Sequence, residues 1–242
     1  DHRDLHLSIR RQRQMCIRDR RQSVISLESI DAVLFDFDGT LAPNLDLADM
    51  RRRVVELTVA AGVPVDIYTG LYIVEVIEAG AAWLATQSSA DATLYQQRAH
   101  QLILDIELDA ARSTQVFPGI KDMLTQLRSC NIKIGIVTRN CRTAIETIFP
   151  DHEHFVDAIH ARDDVALLKP DPRHLMTNLQ ALKARPDSSI MVGDGALDMQ
   201  AGKALNMHCI GVLTGSNDFA TLQKAGANQV LTDCISLHEI LS

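Results

Sequence analysis

The chain has 242 residues, 46% of them hydrophobic, and a formal charge of −7. That length gives one large domain or a core with an insert, and enough apolar material for a substantial core. No apolar run approaches the roughly 20 residues that span a bilayer, so no membrane association is expected.

The charge is unevenly spread. Residues 1–22 carry seven Arg against Asp1, Asp4 and Asp19, a local +4 that leaves −11 for the remainder. A basic arm ordinarily points to nucleic acid or an acidic partner. Here the stretch from Gln12 to Arg20 resembles translated sequencing-adapter read-through, so residues 1–22 are expected to be an artefactual or disordered arm. Nucleic acid is therefore not an expected partner. No apolar stretch of signal-peptide type follows the charges. Five cysteines include no Cys-x-x-Cys pair. Cys130, Cys141, Cys209 and Cys234 read as small buried residues of a reducing compartment, the cytoplasm, with Cys141 the best candidate for a reactive thiol.

In chain order, Ile30–Phe37 reads as a fully buried strand, with a turn at Gly39 and breakers at Pro43 and Asn44. Three helices follow, over Asp49–Ala61, Leu71–Thr86 and Ala90–Arg112. Their apolar stripes run through Val54, Leu57 and Ala61, then Ile73, Val76, Ile77 and Trp83, then Leu94, Leu102 and Ile106, with Ile103 beside them. After Phe117-Pro-Gly119 helices and strands alternate. Helices are expected at Ile120–Cys130, Thr143–Phe149, Pro172–Lys183, Ala196–Leu205, Phe219–Ala225 and Ile235–Leu241. Strands are expected at Lys133–Val137, Val156–His160, Ser189–Gly193, His208–Leu213 and Gln229–Leu231. This pattern predicts an α/β fold, a doubly wound, Rossmann-like parallel sheet with an inserted α-helical cap. The core is assigned to 23–44 and 116–242, and the cap to 45–115.

Four segments carry chemistry: Val33–Thr40, Gly135–Thr138, Leu168–Pro172 and Met191–Asp198. Ligands in open α/β sheets bind at the carboxyl ends of strands, so Asp36, Asp38, Thr138, Lys169, Asp194 and Asp198 are expected in one cleft. Asp36 and Asp38, two apart, would point the same way in a continuing strand. Paired carboxylates repel unless a cation lies between them, and a hard ion such as Mg²⁺ takes oxygen ligands. Asp194 and Asp198 can complete such a site from another strand end. A carboxylate is also a nucleophile toward phosphorus, while Lys169 and Thr138 can hold phosphoryl oxygens. Alone, Asp36 and Asp38 would read as turn formers before Gly39. The three further motifs, in order, favour a phosphate-handling site instead.

These four motifs resemble those of the haloacid dehalogenase-like hydrolase superfamily, with Asp36-Phe-Asp-Gly-Thr40 as the first, Thr138 the second, Lys169 the third and Gly193-Asp-Gly-Ala-Leu-Asp198 the fourth. The resemblance covers residues 31–242, and the helical insert is similar to the cap of the phosphoglycolate phosphatase-like branch. It implies that Asp36 attacks phosphorus, that Asp38 protonates the leaving oxygen and then activates water, and that Thr138 and Lys169 hold the phosphoryl group. It implies Mg²⁺ on Asp36, the Asp38 carbonyl and Asp194, with Asp198 supporting a metal water and Lys169. Substrate contacts are implied for Gly39, Thr40, Arg139 and Asn140. The substrate would be a small phosphorylated metabolite.

Absences narrow the branch. True dehalogenases lack an acid matching Asp38. The phosphonate-cleaving branch needs a cap lysine, and none lies between Gly39 and Phe117. A phosphosugar mutase keeps Asp38 but needs cap cations for a bisphosphate, drawn here from Arg51, Arg52, Arg53, Arg98, Arg112 and His100. A catalytically silent binding domain on the same fold is the alternative from another class. The run Leu41-Ala-Pro-Asn-Leu45 and Gly195 depart from the branch pattern and weigh against phosphoglycolate itself. Arg51-Arg-Arg53 reads as a solvated helix face, and Asp151-His-Glu-His154 as a polar loop rather than a metal site. Trp83, Tyr72 and Tyr95 read as cap core.

Overall fold

The computed structural model describes Ser26 and residues 29–241, so the arm at 1–22 lies outside the described residues. Six parallel strands form one sheet: β1 (Ala32–Phe35), β2 (Lys133–Val137), β3 (Ala158–His160), β4 (Ser189–Gly193), β5 (His208–Val212) and β6 (Gln229–Leu231). Their order is β3-β2-β1-β4-β5-β6. The chain therefore builds outward from β1 in one direction, then returns to its other side at β4. That reversal opens a crevice beyond the carboxyl ends of β1 and β4.

Alternation along each strand divides the core. Val33, Phe35, Ile134, Ile136, Ile190 and Val192 pack on one face, beneath α5 (Ile120–Ser129) and α6 (Arg142–Ile148). Ala32, Leu34 and Met191 face the other way, toward α7 (Pro172–Leu182), α8 (Ala196–Ala204) and α9 (Phe219–Ala225). Both faces are covered, which is why the strands read as continuous apolar runs.

The insert holds α1 (Leu47–Ala60), a short α2 (Val65–Tyr68), α3 (Ile73–Ala85) and α4 (Ser89–Ala111). It has its own core around Val54, Val76, Ile77, Tyr95 and Ile103. Asp46 and Ser88 cap α1 and α4 by accepting the amides of Asp49 and Asp91. The α4 stripe differs from expectation. Its buried face runs through Ala92, Tyr95, Ala99, Ile103, Glu107 and Ala111, while Leu94 is exposed and Leu102 and Ile106 flank the stripe. Tyr95, with its hydroxyl 2.8 Å from that of Thr58, is core as expected, and Trp83 packs against the same cluster.

Other departures are local. The first strand stops at Phe35 rather than Phe37, because the Phe37 carbonyl collects the amides of Thr40, Leu41 and Ala42 in a tight turn. The last expected helix is a five-residue 3-10 turn, Ile235–Glu239. Cys130 is exposed, contrary to expectation, whereas Cys141, Cys209 and Cys234 are buried. Burial pushes the Cys141 thiol up to about 11, so the candidate reactive cysteine is a protonated core residue. Asp151–His154 is a surface turn in which Asp151 pairs with Lys121 at 2.6 Å. No helix among the described residues is long and apolar enough to cross a membrane.

One glycine in the sheet makes the packing testable. A Cβ on Gly135 in β2 would overlap the Asn178 side-chain oxygen and sit 2.5 Å from Leu34 Cδ2. Gly135→Ala is expected to lower stability by about 1–3 kcal/mol. Urea unfolding should show a lower midpoint at unchanged slope, and an unchanged midpoint would contradict this packing.

Candidate active site

The loops after β1, β2, β4 and β5, the segment before α7 and the start of α8 meet at the crevice. Asp36 still donates its amide to Val192 O across the sheet, at 2.8 Å, which fixes it at the end of β1. Its carboxylate accepts the Phe37 amide at 2.7 Å and meets Lys169 Nζ at 2.8 Å. Asp38 reaches the same cleft through the turn after Phe35, not through strand alternation. It accepts both Asn140 amide bonds, at 3.0 and 3.1 Å, and lies 3.4 Å from the Thr138 hydroxyl. Thr138 and Asn140 follow β2 directly, and Asn140 is held by its own side-chain oxygen accepting the Cys141 amide at 2.8 Å.

Asp194 follows β4. Its amide donates to Thr40 Oγ1 at 3.1 Å, and its carboxylate accepts Ser216 N at 3.0 Å and Asn44 Nδ2 at 3.4 Å. A Cβ on Gly215 would overlap that carboxylate, so the loop after β5 needs glycine there. Asp198 sits in the first turn of α8, where it accepts the Gly195 amide at 3.0 Å and pairs with Lys169 Nζ at 2.5 Å.

Negative charge exceeds positive at this point. Burial, then the neighbouring Asp36 charge, pushes Asp38 up to about 7 and Asp194 up to about 6. The same two causes push Asp198 up. Burial opposes the charge on Lys169, but Asp198 and Asp36 prevail and raise it. Carboxylate oxygens of Asp36, Asp194 and Asp198 lie within 4.8 Å of one another. An all-oxygen donor set with surplus negative charge fits a hard divalent cation such as Mg²⁺. The Asp38 carboxylate faces Asn140 rather than that trio, leaving its carbonyl as the donor to consider.

The cavity above these groups, about 250 Å³, runs from the carboxylates to the cap. Asp36, Asp38, Thr138, Arg139, Asn140, Lys169, Asp194 and Asp198 line it, as do Asn44, Tyr72, Glu107, Arg162 and Ser216. Tyr72 is thus a pocket residue and not core. Gly39 and Thr40, expected at the substrate, do not line it. Gly39, at φ 77°, gives its carbonyl to the Thr214 hydroxyl at 2.6 Å, and Thr40 braces Asp194 from behind. Arg139 does line it and is further engaged. Its guanidinium forks onto Glu75 of α3 at 2.7 and 2.9 Å, donates to the Lys169 carbonyl and lies 5.7 Å from the Tyr72 ring centre.

Several supporting residues have no motif to announce them. His174 is buried; its Nδ1 accepts the Lys169 amide at 3.2 Å, so Nε2 carries the hydrogen and donates to His160 O at 3.1 Å. Asn44 bridges Asp194 and Ser216, the latter at 2.9 Å. Glu107, in the apolar stripe of α4, forks onto Arg162 of the core, with one bond at 2.7 Å.

The haloacid dehalogenase-like hydrolase family profile matches residues 33–212. The chain belongs to that family. A phosphoglycolate phosphatase of Pseudomonas putida is 26% identical over 213 residues, which cover 85% of this chain and 77% of that protein. A hydrolase of Pseudomonas syringae matches with a TM-score of 0.66 at 22% identity, over 88% of this chain and all 100% of the other. A β-phosphoglucomutase of Clostridium difficile matches with a TM-score of 0.60 at 21% identity, over 86% and 93% of the two chains. The two solved structures share the fold, and the sequence relatives put this haloacid dehalogenase-like hydrolase in the phosphoglycolate phosphatase-like branch.

The buried histidine gives this hydrolase a pH signature. Burial, aided by the Lys169 charge, lowers His174 from 6.5 to about 3, so the unfolded chain takes up a proton that the folded ring refuses. The stability it contributes is complete above about pH 6.5 and is lost as pH falls toward about 3, on the order of 5 kcal/mol in all. His174→Gln keeps an acceptor and a donor but cannot titrate. Its unfolding free energy relative to wild type is expected to improve as pH is lowered through that window. A pH-independent difference in urea titrations would contradict the assignment.

Proposed function

We propose that this hydrolase is a Mg²⁺-dependent phosphomonoesterase working through an aspartyl-phosphate on Asp36. The observation that carries this is the division of labour between two carboxylates in one cleft: Asp36 against Lys169 at 2.8 Å, and Asp38 on Asn140 at 3.0 Å with a raised pKa of about 7. The first lies against a buried ammonium that orients it for attack on phosphorus, and the second is suited to carry a proton near neutrality. Magnesium held by Asp36 and Asp194, with Asp198 and the Asp38 carbonyl at its margin, would neutralise phosphoryl charge.

An Asp36 oxygen forms a bond to phosphorus as the ester P–O bond breaks, and the leaving oxygen takes its proton from Asp38. The Asp38 carboxylate then removes a proton from water, whose oxygen attacks phosphorus and frees Asp36 and inorganic phosphate. Lys169 and Thr138 hold the equatorial oxygens, and Asn140 keeps Asp38 aligned. His174 acts through Lys169 as a positioning residue. The substrate is a small phosphorylated metabolite, in keeping with the phosphatase relatives. Buried free thiols at Cys141, Cys209 and Cys234 support a reducing compartment, the cytoplasm.

Phosphate release from a panel of monoesters is expected to need Mg²⁺ and to fall by at least about 10³-fold in Asp36→Asn. Asp38→Asn is expected to lower kcat by about 10²–10⁴-fold. Full turnover by Asp36→Asn would overturn the mechanism, and an isomeric phosphate ester in place of free phosphate would make the enzyme a mutase.

A further inference from the structure

We infer that the leaving group of the substrate is uncharged and largely apolar, an inference that rests on the phosphomonoesterase reading of the same cleft. The cap roofs the cavity with Leu45, Leu47, Met50, Ile73, Val74 and Ile103. A carboxylate or second phosphate on the leaving group would be buried against these side chains, and burial of an unpaired anion is strongly disfavoured. It would need a cation there.

None of the six cap cations lines the cavity. Arg51 donates to the Leu71 carbonyl, Arg52 pairs with Asp49 and Glu56, and Arg112 pairs with Asp109. Arg53, Arg98 and His100 lie on exposed positions of α1 and α4. The core supplies two lining arginines, and each is already matched. Glu75 takes Arg139 in two bonds at 2.7 and 2.9 Å, and Glu107 takes Arg162 in two more. Arg162 spends a further hydrogen bond, 3.0 Å, on the Arg139 carbonyl. The Glu107 side chain is only 2% exposed and that of Arg162 16%, so this pair is shielded from solvent competition. Glu75 does not line the cavity, yet it cancels the charge of the arginine that does. The cleft thus keeps Lys169 and a metal site for the phosphoryl group and offers the leaving group apolar walls, with Tyr72 and Asn217 for a hydroxyl or carbonyl. Glu75 and Glu107 are the specificity-determining residues: they silence the two arginines that would otherwise recognise an anion.

The test compares phosphoglycolate and fructose 1,6-bisphosphate with n-butyl and phenyl phosphate, which share the phosphoryl group but differ in leaving-group charge. The neutral esters are expected to have kcat/KM values about tenfold or more above the anionic ones, chiefly through KM. Glu75→Gln retains an acceptor for Arg139 but frees its charge, and is expected to shift the phosphoglycolate to butyl phosphate ratio several-fold toward phosphoglycolate. A wild-type preference for phosphoglycolate, or a ratio unmoved by Glu75→Gln, would overturn the inference. Calorimetric affinities of the four esters for the Asp36→Asn protein in Mg²⁺ separate this claim from the catalytic one. Tighter binding of the neutral esters supports the inference even where wild type turns over none, a result that defeats only the phosphatase reading. Tighter binding of the anionic esters, or binding of none, overturns it.

Discussion

Lys169 buried between Asp36 and Asp198, at 2.8 and 2.5 Å, is the interaction on which the rest of the site depends. A lone ammonium in the interior is costly, as is a lone carboxylate, and neither ion of such a pair tolerates loss of the other. The sheet makes the arrangement possible. β1 and β4 are neighbours whose connections leave in opposite directions, so the residues after each strand face one crevice with no backbone crossing it. Asp194 and Asp38 add charge that Lys169 does not offset, and the fold holds them by fixed donors: Ser216, Asn44, Thr138 and Asn140. A cluster so arranged, with surplus buried charge on fixed donors, costs stability on its own and has the donor set that a hard cation would fit.

The same logic, charge met by fixed partners, recurs between cap and core with the signs reversed. Arg139 leaves the end of β2 and Arg162 the end of β3, and each meets a glutamate from a cap helix. These contacts tie the insert to the strand ends and set the electrostatics of the upper cavity. Both pairs span the boundary between insert and core, so the two arginines are matched by residues from the other side of the cleft.

Much of this was legible in the sequence because it is local. Runs such as Ser189–Gly193 and Lys133–Val137 announce buried strands, and the polar residues that follow them fall at the crevice by topology alone. The helical insert was legible from its periodicity. What was not legible depends on distant partners. Arg139 adjoins Thr138 and lines the cleft as its position suggests, but its pairing with Glu75, 64 positions away, leaves no local signal. Thr40 lies in the same motif as Asp36 but serves Asp194 from behind, through a bond across 154 positions. The shared direction of Asp36 and Asp38 comes from a turn closed by the Phe37 carbonyl, not from the pleat. His174 reads as one polar residue on an amphipathic helix. Glu107 did leave a trace: a carboxylate at helical spacing from Tyr95, Ala99 and Ile103 is anomalous in an apolar stripe and asks for a buried partner.

The central claim is that the surplus of buried carboxylate is built for a divalent cation, and thermal unfolding of the wild-type protein across a Mg²⁺ titration tests it most directly. At about 100-fold excess over the dissociation constant, binding adds about 2.7 kcal/mol, which for a chain of this size raises Tm by roughly 5–10 °C. That saturable rise is expected in wild type and is expected to be lost in Asp194→Asn, whose metal-free Tm is no lower because a buried like charge has been removed. A wild-type Tm indifferent to Mg²⁺, or an equal rise in Asp194→Asn, would contradict it.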